Sequence, residues 1–309
     1  MRYLVTGGCG FLGTNLCLAL SAGGGSVVAL DDFSTSFAPN RALLGERQVE
    51  IVRHDVIEGF PDLGKFDFIY NLACAASPKQ YRKDPLRTLR TSLWGGWNAL
   101  ECARRSDAGL LQASTSEVYG DPLESPQKED YRGNVDTTGP RACYDEGKRA
   151  AETMMEEYAA RHGLKVKIAR IFNTYGPGMD PEDGRVVSNF IVQALEGRPL
   201  TIYGDGSQTR SFCYVDDLIR ALRLLEKSAA KGPMNLGNPE ECTISSLVLS
   251  LEKVLGRKLE REYLPLPKDD PRKRRPDISM ARKKLGWNPE TGLEEGLGMS
   301  VRYFGGLGK

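Results

Sequence analysis

Tyr144 and Lys148 stand four residues apart in the run Arg141-Ala142-Cys143-Tyr144-Asp145-Glu146-Gly147-Lys148-Arg149, with helix-compatible sequence behind them. On a helix, positions i and i+4 share a face, one turn apart. An ammonium there favours phenolate over phenol, so the tyrosine pKa is expected to fall below its usual value of about 10. Such a tyrosine is a general base for a sugar or alcohol hydroxyl near neutral pH. The spacing fits two polar residues on a surface helix equally well, and it occurs by chance in many chains. The surrounding elements decide between these readings.

Residues 2–6 read as a short apolar strand that runs into Gly7-Gly8-Cys9-Gly10-Phe11-Leu12-Gly13 and then a helical pattern through Leu16 and Leu20. Glycines let the backbone turn tightly and approach a ligand, and the following helix offers free N–H groups and a positive dipole end to a pyrophosphate. A glycine pattern alone is weak. Here a second strand, 27–30, ends in Asp31, with Asp32, Ser34 and Thr35 in the same loop. A carboxylate at that strand end accepts hydrogen bonds from adenosine ribose hydroxyls and repels a 2′-phosphate, which favours NAD over NADP.

Further strands are expected near 49–53, 66–73, 109–113 and 165–170. The first runs into a loop with Asp55 and Val56 that can lie against adenine, and the second ends in Leu72 and Ala73, small enough for close cofactor approach. The third runs into Ser114-Thr115-Ser116-Glu117, a hydroxyl cluster with one carboxylate at a strand's C-terminal end, where open α/β sheets bind ligands. One long helix is expected over 85–105; its Trp94 and Trp97 fit sheet packing or a helix–helix dimer seam. Residues 121–140 read as a lid or irregular segment, the Tyr144 helix runs to about His162, and a loop at 171–177 carries Asn173 and Thr174. After about 172 a helix opens at 184–190, a short strand covers 200–203, a helix starts at Val215 or Asp216, and the remainder is expected to hold short helices. The fold class is α/β: a Rossmann-type doubly wound parallel sheet with a smaller C-terminal α/β lobe, and a site between the two. The first domain is expected over 1–172, with segments near 212–238 returning to it, and the lobe mainly over 173–309.

Composition narrows the function classes. The 309 residues include 42 Lys+Arg against 41 Asp+Glu, and 40% are hydrophobic, so the chain builds a core and carries no general charge for nucleic acid or a membrane surface. The seven cysteines are scattered with no Cys-x-x-Cys, and the histidines are His54 and His162. No metal site and no disulfide scaffold are expected, and the chain reads as cytoplasmic. There is no run of about 18 apolar residues and no signal-like N-terminal segment. Residues 268–277 form a basic run bracketed by acids. Most of it is a solvated face, with one arginine turned inward to clamp a diphosphate.

Together these residues resemble the extended short-chain dehydrogenase/reductases that act on nucleotide sugars, and more closely their UDP-glucuronate-decarboxylating branch. The blocks at 113–122, 139–149 (GPRACYDEGKR), 169–177, 183–191, 206–215 and 269–278 carry the likeness, which spans essentially the whole chain. It implies Tyr144 as base and Lys148 as its partner and ribose ligand. Thr115 would bond the sugar 4-hydroxyl, Glu117 would act near C5, and Ser116 would complete the catalytic set. Arg274 would hold the substrate, with Arg185, Arg210 and Tyr203 around the nucleotide diphosphate and Asn173 nearby; Tyr81 and Val187 belong to the same substrate set. Thr91, Ser114 and Thr174 would join the NAD site. The lobe becomes the nucleotide-sugar-binding part, and a homodimer through the helices near 85–105 and 142–162 is implied.

The implied chemistry is conversion of UDP-glucuronate to UDP-xylose through a 4-keto intermediate with internal recycling of NADH. Related 4,6-dehydratases carry an aspartate where Ser116 stands, and a serine cannot supply that acid; 4-epimerases generally lack the glutamate at 117. Alternatives are a decarboxylating dehydrogenase that releases the 4-keto pentose and NADH, another dehydratase or epimerase, and a non-catalytic NAD-binding regulator. The chain departs from the branch at Cys74-Ala75 (usually Ser-Pro), Arg90 (often lysine), Ser92 (often asparagine) and Ser34-Thr35-Ser36 (usually aromatic-Thr-Gly).

Overall fold

The structure, a computed structural model, describes residues 1–265 and 274–307. Seven strands form one sheet in the order Pro233–Leu236, Val166–Ile171, Gly109–Thr115, Phe68–Asn71, Arg2–Thr6, Ser26–Asp31, Glu50–Arg53. Every pairing in it is parallel. From Arg2–Thr6 the chain builds outward to Glu50–Arg53, then crosses back to Phe68–Asn71 and builds the other way. This is the Rossmann-type doubly wound sheet, and its switch point lies between the strands that carry Thr6 and Asn71.

The apolar strands exist because both sheet faces are covered, which is what parallel pairing requires. Successive side chains point to opposite faces. Leu4, Val28, Ile69 and Leu110 join the core under the helices Gly96–Ser106 and Ala142–His162, where Leu100, Ala103 and Met155 meet them. Their chain neighbours Val5, Ala29, Tyr70 and Leu111 join the opposite core with Leu16 and Leu20 of Phe11–Ala22 and Leu218 and Leu222 of Val215–Lys227.

The remaining strands are short pairs. Thr174–Tyr175 pairs with Cys213–Tyr214, Thr209–Ser211 with Glu241–Thr243, and Leu200–Tyr203 with Arg261–Leu264. Several expectations need correction here. The strand expected over 66–73 is ordered only as Phe68–Asn71, because the chain leaves the sheet at Leu72 to form the cavity wall. The loop at 171–177 contains a two-residue strand. The C-terminal part is not limited to short helices: Ile244–Leu255 and Leu293–Gly306 have 12 and 14 residues. The long helix near 85–105 is Pro85–Arg90, a π-helical section Thr91–Gly95, and Gly96–Ser106. Two features loosen the ordinary ladder there: the Thr91 hydroxyl donates to Arg87 O at 2.8 Å, and two glycines follow at 95 and 96. A Cβ on Gly95 would lie 2.8 Å from Val56 Cγ2, so that glycine lets the 55–56 loop pack against the helix.

The segment 121–140 holds no helix or strand, yet it is fastened. Gln127, fully buried, bridges to Pro276, donates from its N to Arg275 O at 2.8 Å, and accepts from Arg275 N at its Oε1 at 2.9 Å. Residues 268–273 of the basic run lie outside the described residues.

Candidate active site

At the switch point the chain turns through Gly7, whose φ is +66°. A Cβ there would lie 2.9 Å from Ala73 Cα, and one on Gly13 would lie 2.1 Å from Gly7 O. The turn therefore closes only with glycine at both positions. Helix Phe11–Ala22 has no side-chain cap, and the N–H groups of Phe11, Leu12 and Gly13, in its first turn, have no partner one turn back. That is an anion cradle of diphosphate type. Asp31, buried at the strand end, accepts from Cys9 N at 3.0 Å and Phe33 N at 2.8 Å; burial pushes its carboxyl up despite those bonds. Burial would also raise Asp32, but bonds from Ser34 and Arg87 outweigh it and hold that carboxyl low. The glycine turn, uncapped helix end and buried strand-end carboxylate fit a dinucleotide.

Tyr144 and Lys148 are both buried on helix Ala142–His162. Among the described residues no hydrogen bond joins the ammonium to the phenol oxygen. The ammonium donates to Ala113 O at 2.9 Å and lies 5.8 Å from the tyrosine ring centroid. The expectation of a lowered phenol pKa is therefore corrected. Burial raises it, Cys74, Asp145 and Tyr81 add to the rise, and the Thr115 hydroxyl opposes it. The Tyr81 ring stacks on Tyr144 at 5.0 Å and 7°.

Strand Gly109–Thr115 ends in a tight turn, Ser116–Tyr119, where Thr115 Oγ1 accepts from Glu117 N at 3.2 Å. This turn aims Glu117 across the cavity at two guanidinium groups: Arg141 bonds its Oε2 and Arg274 its Oε1. Arg274 is turned inward and almost fully buried, and it also donates to Gly120 O at 2.8 Å. Burial pushes its pKa down to about 10, so it stays charged at neutral pH. The inward arginine of the basic run is thus present, and its protein partners are the Glu117 carboxylate and the Gly120 carbonyl.

Every residue proposed from the sequence lines one cavity of about 680 Å³. Gly7, Gly10, Phe11, Leu12, Gly13, Asp31, Asp32, Ser34, Thr35, Asp55, Val56, Leu72, Ala73 and Thr91 lie on its dinucleotide side. Ser114, Thr115, Ser116, Glu117, Tyr144, Lys148, Asn173 and Thr174 lie at the sheet's end with Tyr81 stacked on Tyr144, and Arg185, Val187, Tyr203, Arg210 and Arg274 line the same cavity from later in the chain. Some are already engaged. Ser114 donates to Glu152, Thr174 donates to Phe172 O at 2.9 Å, and Arg185 pairs with Asp183 at 3.0 Å while its guanidinium sits 5.7 Å from the Phe11 ring centroid. Of the departures, Cys74 and Ser92 meet each other, Sγ to Oγ, at 3.5 Å.

Sequence reasoning missed two cations. Arg87 bridges Asp32 at 2.6 Å and Asp55 at 2.7 Å, tying together the two loops on the cofactor side. Its only local signal is Asp84-Pro85, which caps and starts its helix. Arg141 stood in the quoted run without a role, and its position just before Tyr144 was the available signal.

The sequence model of the NAD dependent epimerase/dehydratase family matches residues 3–237. UDP-glucuronic acid decarboxylase 1 of Danio rerio is 49% identical over 304 residues, covering 98% of this chain and 72% of its own. UDP-glucuronic acid decarboxylase 6 of Arabidopsis thaliana is 48% identical over 306 residues, covering 98% and 89%. Among solved structures, the UDP-glucose 4-epimerase of Thermotoga maritima with UDP-glucose superposes with a TM-score of 0.92 at 29% identity, over the whole of both chains. The UDP-glucuronic acid 4-epimerase of Bacillus cereus, in complex with UDP-glucuronic acid and NAD, gives 0.89 at 28% identity, over 99% of this chain and 100% of its own. With the glycine turn, the Tyr144–Lys148 pair and the Ser116-Glu117 turn meeting in one cavity, this chain belongs to the NAD dependent epimerase/dehydratase family, on its UDP-glucuronic acid decarboxylase branch.

Proposed function

We propose that this protein decarboxylates UDP-glucuronate to UDP-xylose, using NAD without net consumption. The observation that carries the reading is Glu117, held between two guanidiniums in the cavity that also contains Tyr144, with a serine at 116 where a dehydratase needs an acid. Bound NAD+ would accept the C4 hydride, add positive charge near the phenol, and return the hydride once CO2 has left. Tyr144 takes the C4 hydroxyl proton and gives it back at the end, and Lys148 contributes charge from the same helix. Thr115 shares the 4-hydroxyl and Ser116 lies beside it. A C4 ketone is β to the C6 carboxylate. The C5–C6 bond breaks and CO2 leaves, the electron pair enters the ketone as an enolate, and C5 then takes a proton from solvent water beside Glu117. Arg274, Arg185, Arg210, Tyr203, Asn173, Val187 and Tyr81 hold the nucleotide sugar. The amides of residues 11–13, with Asp31, hold the dinucleotide, and Asp32, Ser34, Thr35, Asp55, Val56, Leu72, Ala73, Thr91, Ser114 and Thr174 complete its site.

The protein acts as a homodimer in the cytoplasm. Supporting this are Trp94 and Trp97, 52% and 48% exposed beside the Tyr144 helix, and seven cysteines that are all free thiols. No described helix is long and apolar enough to cross a membrane. The test is product analysis by NMR after incubation with UDP-glucuronate. UDP-xylose and CO2 are expected. UDP-galacturonate would point to an epimerase, stoichiometric NADH to a dehydrogenase, and no turnover to a regulator.

A further inference from the structure

We infer that Arg141 is a positioning residue for the carbon–carbon cleavage step: it fixes Glu117 relative to Tyr144. The inference rests on the decarboxylase reading and adds a residue to it.

Arg141 is the residue at which helix Ala142–His162 begins, so it is rigidly tied to Tyr144 one turn further on. Its guanidinium reaches Glu117 Oε2, and its Nε lies 4.0 Å from Asp145 Oδ2 on the same helix. Asp145 is buried, and its Oδ1 has no hydrogen-bond partner among the described residues. Arg141 is thus its one cationic neighbour among the described ion pairs. Glu117 comes from a different element, the turn after strand Gly109–Thr115. Each of its oxygens is taken by a different guanidinium, Arg141 on one and Arg274 on the other. A carboxylate gripped at both oxygens by charge-assisted bonds is held against rotation about its terminal torsion.

The geometry divides the work between two anchors. Arg274, with its side chain 4% exposed, ties Glu117 to the segment fastened by Gln127. Arg141 ties it to the helix that carries the phenol. The base that works at C4 and the carboxylate near C5 are then held by one rigid element. Without Arg141, Glu117 keeps one anchor and swings about it. Tyr144 and Lys148 keep all their contacts, so C4 oxidation is spared while cleavage slows. A misplacement of about 1 Å costs on the order of 10²-fold in such a step.

The test uses the full-length protein with NAD and UDP-glucuronate in single-turnover experiments on wild type, Arg141→Gln and Arg141→Lys. NADH absorbance reports C4 oxidation and trapped CO2 reports cleavage. In Arg141→Gln, NADH should form within about threefold of the wild-type rate while CO2 release falls about 10²-fold, so NADH accumulates transiently. Arg141→Lys should restore part of the CO2 rate, and NAD affinity by titration should not change. In a Glu117→Gln background, Arg141→Gln should add nothing further to the loss. Equal loss of both rates, an unchanged CO2 rate, or additive losses in the double variant would overturn the inference. A wild-type protein that releases no CO2 would instead overturn the functional reading itself.

Discussion

Removing the Glu117 carboxylate probes the site's electrostatics directly. The Arg274 side chain is 4% exposed and that of Glu117 15%. Besides Glu117, the Arg274 guanidinium bonds only Gly120 O at 2.8 Å among the described residues, and its Nε has no partner there. Glu117→Ala therefore leaves a buried guanidinium without its counter-charge, at a cost of about 3–5 kcal/mol. The reverse change, Arg274→Met, leaves Glu117 still paired with Arg141 on the more open side, where the arginine is 20% exposed. That loss should be smaller, about 1–3 kcal/mol. Removing both partners, as Glu117→Ala with Arg274→Met, should cost clearly less than the sum, with a coupling of about 2 kcal/mol. Urea unfolding followed by circular dichroism measures all three. A Glu117→Ala variant that loses under about 1 kcal/mol, or strictly additive single changes, would refute the reasoning.

Tyr144→Phe should lower turnover by about 10²–10⁴-fold with the melting temperature nearly unchanged, measured by product NMR and thermal scan; retained turnover would remove the tyrosine from the chemistry. Gly13→Ala should abolish NAD binding in a titration and destabilise the fold, since its Cβ would lie 2.1 Å from Gly7 O, whereas Gly45→Ala, with nothing within 4 Å, should do neither. Burial pushes Asp145 up to about 7. The unfolded chain releases this proton near pH 4 and the folded chain near pH 7, so the folded state binds the extra proton in between. Stability should therefore fall as pH rises from about 4 to about 7, by at most about 4 kcal/mol, and stay level above. Asp145→Asn should flatten that slope in urea midpoints at pH 4.5 and 7.5, and parallel slopes for the two proteins would contradict the burial argument.

The parts of the fold that were legible in the sequence are those set by local chemistry. The glycines at 7 and 13 were legible because the turn leaves no space for a Cβ there, and the parallel strands because burial on two faces leaves unbroken apolar runs. The residues named for the site line a single cavity because strand ends at a switch point converge whatever their order in the chain. What stayed hidden depends on long-range placement. Arg274 meets Glu117 across 157 positions, and no spacing rule anticipates the carboxylate as its partner. The Lys148 ammonium donates to Ala113 O on the neighbouring strand, a partner that helical spacing does not announce. Tyr81 stacks on Tyr144, and burial, which no helical spacing reveals, is the largest cause of its raised pKa. The π-helical section Thr91–Gly95 lies within a continuous run of helix, so no breaker residue marks it in the sequence.

The central claim is that a transient ketone at C4 labilises the C6 carboxylate and that the same active site then reprotonates C5 and reduces C4. The most direct measurement is turnover of UDP-glucuronate in D2O, with NADH absorbance followed alongside proton NMR of the product. The account predicts UDP-xylose carrying a single deuterium at C5, none at C4, and no NADH left at the end of the reaction. UDP-xylose without deuterium at C5, or a pentose product with deuterium at C4, would contradict it.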